Sequence, residues 1–230
     1  MNIIQTWKTK EVPEHYRSFV NAVKELNPDC NYMLFDDKDI VEFITTKMPE
    51  YYDTFCGLSS KIQQIDFFRY LAIYHYGGVY LDLDMDIVKP FSSDLTKLGD
   101  KCVFPIEIHH NSDFLLHRQD VSYLVGNYAF YAPKGHPFLL EIINNIIIQR
   151  IHTHDIELAQ RTSGDPPNDV YVYYRTGPVL VTQTYIDHKN KGDVLLLQSS
   201  TLEENRFGDY GFHRFYGSWK HPGSDQKSLE

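Results

Sequence analysis

The chain has 230 residues, 42% of them hydrophobic, a length suited to one large α/β domain and too short for two full-sized units. Lysine and arginine number 22 against 31 aspartates and glutamates, and the resulting formal charge of -9 repels phosphate backbones, which argues against nucleic-acid binding. Aromatic residues make up 14%, which excludes a disordered chain and leaves ring faces for stacking on sugars or bases.

In chain order, Asn2 to Trp7 predicts a short buried strand. Pro13 opens a helical pattern with Tyr16, Phe19, Val20, Val23 and Leu26 near 3.6-residue spacing, stopped at Asn27-Pro28. Tyr32 to Phe35 is a second strand, and Asp36-Asp37 offer N-caps to a helix through Ile40, Val41 and Ile44. Strand, helix, strand, helix predicts a parallel sheet. Pro49 restarts a short helical stretch, and Ser59 or Ser60 caps a longer helix from Lys61 to Tyr76, ended by Gly77-Gly78 as a left-handed cap. Val79 to Leu83 follows as a strand, with Asp82, Asp84 and Asp86 at its end, where open α/β sheets bind ligands, and Pro90 closes the segment. Cys102 to Pro105 and Tyr123 to Tyr131 read as strands, Pro137 to Ile151 as a helix and Ser163 to Asp169 as a loop. Pro178 to Tyr185 reads as a helix with proline at its first position, Val194 to Leu197 as a strand, and the aromatic, glycine-bearing tail from Asn205 as a surface loop folded over something. There is no linker or internal repeat.

Cys30, Cys56 and Cys102 are odd in number and far apart, so they build neither a disulfide framework nor a CxxC knuckle and are expected as reduced, buried thiols. No window approaches a membrane-spanning length of apolar residues, no Asn-x-Ser/Thr sequon occurs, and the N-terminus lacks a signal-peptide pattern. The expectation is a cytoplasmic or otherwise soluble intracellular protein.

Asp82 and Asp84, two apart on an extended segment, face the same side and suit one hard divalent cation that would bind diphosphate oxygens. On these residues alone a solvated, aspartate-rich turn is the ordinary reading. In the preceding helix Asp66 and Arg69 stand at i,i+3, where an intrahelical ion pair is the ordinary reading and a clamp on sugar hydroxyls and phosphate the functional one. His109-His110 and His152/His154 lack carboxylate or cysteine partners at ligand spacing, so surface or core roles outweigh zinc.

The run from Gln64 to Asp84, with Asp66, Arg69-Tyr70, Tyr74, Gly77-Gly78, Tyr80, Asp82 and Asp84, resembles the "SDxxRYxxLYxxGGxYxDxD" core of DXD-containing sugar-nucleotide glycosyltransferases, specifically glycosyltransferase family 32, which includes initiating α-1,6-mannosyltransferases and α-1,4-galactosyltransferases. Three further segments agree. Ile3 to Lys8 is similar to "IIHQTWK", Gly126-Asn127 with Ala132 to Pro137 to "N…AxxxHP", and His213 to Trp219 to "HxxxxSW", while Gly177-Pro178 fits a "TGP" loop. The departures are Ile4 for the usual histidine and Ile65 for the usual serine.

The resemblance implies a GT-A fold over 1–222, a Rossmann-like mixed sheet flanked by helices in a single domain, with 223–230 a disordered tail or cloning remnant. It implies a retaining transfer from a UDP- or GDP-sugar to a hydroxyl of a glycan or glycoconjugate acceptor, with Mn²⁺ or Mg²⁺. Asp84 would ligate the metal, Asp82 would contact the donor ribose or sugar and join the metal's ligands, and His213 would be a third ligand. Asp66 and Arg69 would bind donor-sugar hydroxyls, Thr6 and Trp7 would cradle the base, Tyr80 would pack at the nucleotide, Asn127 would lie near the transferred sugar, and Trp219 would close over the diphosphate. Asp86 is expected to be solvated or hydrogen-bonded nearby. No nucleophile stands out, so same-face attack is the preferred route, with the leaving phosphate taking the acceptor proton. The donor sugar, its base and the acceptor stay open. A metal-dependent sugar-nucleotide hydrolase or phosphotransferase, and a non-catalytic nucleotide-sugar binder, are the rival readings.

Overall fold

The computed structural model describes residues 1–107, 123–198 and 205–217. Strand β1 (Asn2–Thr6) runs parallel to β2 (Asn31–Phe35) on one side and to β3 (Gly78–Leu81) on the other. The crossover from β1 to β2 is α1 (Glu14–Leu26); that from β2 to β3 carries α2 (Asp37–Lys47), α3 (Tyr52–Gly57) and α4 (Lys61–Tyr76). Asp36 caps α2 as expected, its carboxylate accepting the Lys38 and Asp39 N–H groups while Asp39 returns the bond to the Asp36 N–H. Beyond β3 the sheet turns antiparallel, through β7 (Ala129–Ala132) to β5 (Cys102–Glu107). Along β5, β8 (Val194–Leu197) pairs in parallel with the first part and β6 (Leu124–Val125) antiparallel with the end. The sheet is therefore mixed: the parallel pairing predicted for the first strands is present there, β8 adds a further parallel pair with β5, and the strands between are antiparallel.

Alternation of side chains splits the core over the two faces of this sheet. Ile4, Tyr80, Phe104 and Phe130 point to one face, where α4, α6 (Pro137–Ile147) and α9 (Pro178–Asp187) cover them, and Ile3, Val79, Leu81, Val103 and Tyr131 point to the other. Phe104 and Phe130 stack with centroids 4.9 Å apart and planes 1° off parallel. Helix α4 packs on β1, β3, β7 and α6, and it is buried from Asp66 through Ile73 without an exposed face. A helix apolar on all sides belongs in the middle of a domain, and the two charged groups it carries there, Asp66 and Arg69, must find partners inside.

Several boundaries differ from expectation, each for a local reason. Ser60 takes the N-cap position of α4 without a side-chain bond, because Gln63 reaches back to the Ser59 amide and hydroxyl instead. Gly77 has φ +68 but ψ 159, so it ends the helix outside the left-handed helical well and leads straight into β3. Gly78 (φ +119) brings β3 so close to β1 that a Cβ there would lie 2.2 Å from the Asn2 carbonyl oxygen. The strand predicted from Tyr123 to Tyr131 is broken at Gly126-Asn127-Tyr128 into β6 and β7. The loop predicted at Ser163 to Asp169 shrinks, because α8 (Pro167–Arg175) starts with proline at its first turn, following the mostly polar α7 (Thr153–Thr162); α5 (Ser92–Thr96) is a single turn. The helix predicted to Ile151 stops at Ile147.

The expected aromatic tail is not simply a loop. β9 (Arg206–Phe207) and β10 (Gly211–His213) form a second, three-stranded sheet with β4 (Met85–Ile87), in the order β4-β10-β9. Of the thiols expected buried, Cys102 is, Cys30 is half-buried and Cys56 is exposed; all three are free. Among the described residues no helix is long and apolar enough to cross a membrane. His109, His110, Trp219 and the tail 223–230 lie outside the described residues.

Candidate functional site

Strand β3 ends at Leu81, one residue before the acidic run, so strand alternation does not align Asp82 with Asp84. They converge through a tight turn, closed by the Met85 N–H donating to the Asp82 carbonyl at 3.1 Å. Two bonds pin the start of that turn: the Asp82 N–H donates to the Tyr128 carbonyl at 2.7 Å, and Gln5 Nε2 donates to the Asp82 carbonyl at 3.1 Å.

The chain returns to this turn much later. β10 pairs antiparallel with β4, placing His213 opposite Met85. His213 Nε2 lies 3.2 Å from Asp84 Oδ1 and 4.0 Å from Asp82 Oδ2, and its ring stacks on Tyr128 with centroids 4.4 Å apart. Asp82, Asp84 and His213 can each present one ligand atom within 4.8 Å of the others, the one such metal-capable group among the described residues. Two carboxylates and an imidazole are a donor set suited to a divalent cation of the manganese type. Burial works against the Asp84 carboxylate, yet the His213 and Tyr216 hydrogen bonds hold its pKa below the ordinary value. For His213, burial favours the neutral ring and Asp84 outweighs it, raising the pKa. Burial raises the Asp82 carboxyl, with Arg69 opposing.

Beneath the turn lies a buried polar network. Arg69 Nη2 is 3.1 Å from Asp66 Oδ1 and 3.4 Å from Asp82 Oδ1, and Nη1 donates to the Asn127 carbonyl at 2.8 Å. Asp66 Oδ1 also accepts from Asn127 Nδ2 at 3.2 Å, and Oδ2 accepts from Thr176 Oγ1 at 2.7 Å. Asn127 Nδ2 reaches the Tyr70 hydroxyl at 2.9 Å, and that hydroxyl donates to the Thr176 carbonyl at 2.9 Å. The i,i+3 ion pair is therefore real, but it is not the solvated surface pair that spacing alone describes: both members are 3% exposed. Burial raises the Asp66 carboxyl, against the pull of Arg69.

Tyr80, expected at the nucleotide, lies against the acidic turn and the buried network beneath it. It is wholly buried, its ring is covered by the Arg69 guanidinium at 4.5 Å and by Phe130, and its hydroxyl donates to Asp82 Oδ1 at 2.8 Å with Thr6 Oγ1 3.2 Å away. Its role is to hold Asp82. Trp7, half-buried at the end of β1, packs edge-on against Tyr16, which in turn meets Tyr216 at 5.7 Å. Ile4 and Ile65, the two departures from the family pattern, both face the hydrophobic core. Asp86 pairs with the Arg214 side chain and so ties β4 to the segment after β10. Tyr70, Thr176, Gln5 and Tyr128 were not singled out from sequence. Tyr70 and Thr176 sit in the quoted motif runs, where nothing in the string distinguishes a network member from a packing residue.

Residues 13–104 match the family model described as glycosyltransferase sugar-binding region containing DXD motif. The chain is 33% identical over 180 residues to inositol phosphoceramide mannosyltransferase 3 of Schizosaccharomyces pombe, covering 78% of this chain and 43% of that protein. It is 24% identical over 234 residues to the initiation-specific alpha-1,6-mannosyltransferase of Candida albicans, covering 89% of this chain and 56% of the relative. The chain thus spans about half the length of these curated relatives or less. Among solved structures, the UDP-bound glycosyltransferase domain from the YGT toxin superposes with a TM-score of 0.51 at 10% identity, over 85% of this chain and 78% of that one.

Proposed function

Because this chain is a GT32-like member of the DXD-containing glycosyltransferases and is built on the GT-A fold, we propose that it moves a hexosyl group from a nucleotide-diphosphate sugar to an acceptor hydroxyl, with retention of configuration. The observation that carries this reading is the convergence of Asp82, Asp84 and His213 on one point above the buried Asp66–Arg69 pair. Asp82, Asp84 and His213 are the residues to hold Mn²⁺ or Mg²⁺, and the imidazole favours Mn²⁺. Such a cation, when bound, neutralises charge that builds on the departing diphosphate.

The remaining roles fall to the chain itself. Trp7 and Thr6 flank the base, and Arg69 with Asp66 borders the donor sugar, held rigid by Asn127, Thr176 and Tyr70. Rigidity of this kind favours the transition state because no reorganisation is needed when charge develops. Both Asp66 oxygens already accept hydrogen bonds, which leaves the carboxylate poorly placed as a nucleophile and supports same-face attack. In that route the bond from C1 to the phosphate oxygen breaks as the bond from C1 to the acceptor oxygen forms. The acceptor proton passes to the leaving phosphate.

Mannose is the sugar to test first, since the curated relatives are named mannosyltransferases. The decisive experiment is a thermal-shift panel of GDP-mannose, UDP-glucose, UDP-galactose and UDP-N-acetylglucosamine with and without Mn²⁺, followed by product analysis. Mn²⁺-dependent stabilisation by one donor, with turnover accelerated by a sugar acceptor and an axial-to-axial outcome at C1, is expected for an α-linked donor. Stabilisation without metal, or release of free sugar that no acceptor accelerates, overturns the reading in favour of a binder or a hydrolase.

A further inference from the structure

The segment that follows His213 holds a strained residue. Arg214 donates its backbone N–H to the Asp84 carbonyl at 3.1 Å, and Tyr216 donates its own to Asp84 Oδ2 at 3.0 Å. Phe215, between these two anchors, adopts φ +52, a left-handed conformation that is strained for a bulky residue. Gripping Asp84 from both sides forces this backbone, and glycine is the residue that would relieve it. The ring so placed is 51% exposed, with its centroid 4.1 Å from that of His213 and 6.4 Å from that of Tyr128.

The two consecutive aromatics part to opposite sides of the acidic corner. Tyr216 joins Tyr16, Phe19 and His15, the group that continues to Trp7. Phe215 goes the other way, to Tyr128, the residue next to Asn127 whose amide holds Asp66. With the proposed base contact at Trp7 and the proposed sugar contacts at Asp66 and Arg69, Phe215 lies on the His213–Tyr128 flank of the acidic corner, half exposed. An exposed aromatic face retained against backbone strain is suited to cover the C–H face of a six-membered polyol ring, with which it buries apolar area while the hydroxyls stay wet.

We propose that Phe215 is the stacking platform for the acceptor ring, a pyranose or a cyclitol, and so determines acceptor specificity. This rests on the transferase reading of the same site. The test uses the full chain with Mn²⁺ and whichever donor the thermal-shift panel selects, with methyl α-mannopyranoside and myo-inositol as the two acceptor probes and the variants Phe215→Gly, Phe215→Ala and Phe215→Tyr. Loss of the ring is expected to raise the acceptor KM about tenfold and to lower the ratio of transfer to hydrolysis, with Phe215→Tyr restoring both. Phe215→Gly is expected to melt no lower than the wild type, because strain leaves with the ring, which separates this role from a structural one. An acceptor KM unchanged in Phe215→Ala, an equal rise in donor and acceptor KM, or a lower melting temperature in Phe215→Gly overturns the proposal. So does failure of both probes to accelerate donor turnover in a wild-type protein that binds donor with Mn²⁺; if no donor binds at all, the transferase reading has failed as well. Which probe responds distinguishes pyranose from cyclitol.

Discussion

Thr176 donates its hydroxyl to Asp66 Oδ2 at 2.7 Å, a bond between the loop joining α8 to α9 and the middle of α4, and both residues are buried. An isosteric Thr176→Val change leaves that carboxylate oxygen short of a partner in a place water does not reach. It should cost about 1–3 kcal/mol, read as a drop of several degrees in Tm. Turnover should fall with it, while Thr176→Ser keeps both. Equal activity in the valine variant would mean that Asp66 needs no fixed orientation.

Asp84 is at once a candidate ligand and an anchor for residues 214–216. Two close carboxylates repel, but in the structure His213 beside Asp84 and Arg69 beside Asp82 offset that repulsion. Asp84→Ala and Asp84→Asn should both lose Mn²⁺-dependent donor stabilisation and roughly a hundredfold or more in turnover. Only the alanine variant removes the acceptor of the Tyr216 N–H, so only it should expose the 214–217 segment to limited proteolysis. Wild-type turnover in either variant is incompatible with the proposed ligand set.

At Gly78 the constraint is geometric. A Cβ would meet the Asn2 carbonyl oxygen at 2.2 Å, and φ +119 is closed to alanine. Gly78→Ala should therefore separate β3 from β1, at a cost of about 3 kcal/mol or more, measured by urea titration of soluble protein. Unchanged stability would show that the strand pair yields freely.

His188 supplies a pH signature away from the site. It is buried between Glu141 Oε2 at 2.9 Å from Nδ1 and Asp193 Oδ1 at 2.8 Å from Nε2. Burial disfavours the imidazolium, but the two carboxylates win and the folded pKa is raised above 6.5. The contribution to stability is thus complete below the unfolded pKa and fades as pH rises through the folded one. Compared with His188→Gln by urea unfolding from about pH 6 to about pH 9, the wild-type advantage should shrink with rising pH. A constant or growing advantage would contradict the pairing.

Legibility in the sequence followed the strength of local signals. Helix α4 and strand β3 were readable because an apolar run, a double glycine and the short apolar stretch Val79-Tyr80-Leu81 all agree, and the N-terminal crossovers because their periodicity and the Asp36 cap do. Helices α7 and α8 were not, since α7 buries only Ile156 and Ala159 and a double proline at Pro166-Pro167 reads as a loop before it reads as a helix start. The acidic pair was found by the right residues for the wrong geometry: a turn, not strand alternation, brings Asp82 to Asp84. β4 and β10 are three residues each, too short for a period to show, so the arrival of His213 rested on family resemblance rather than on pattern. The partners of Tyr80 were not legible, because nothing in the string shows that Arg69 and Phe130 lie against its ring.

The pairing of β10 with β4 also sets an order of events during synthesis. Asp82 and Asp84 leave the ribosome early, joined to strands that can already pair, while their imidazole neighbour is translated only after the sheet's remaining strands. On the proposed ligand set, a growing chain therefore holds only two of the three ligands for most of its elongation and gains the third late, so an unfinished polypeptide is expected neither to bind manganese tightly nor to turn over the proposed donor.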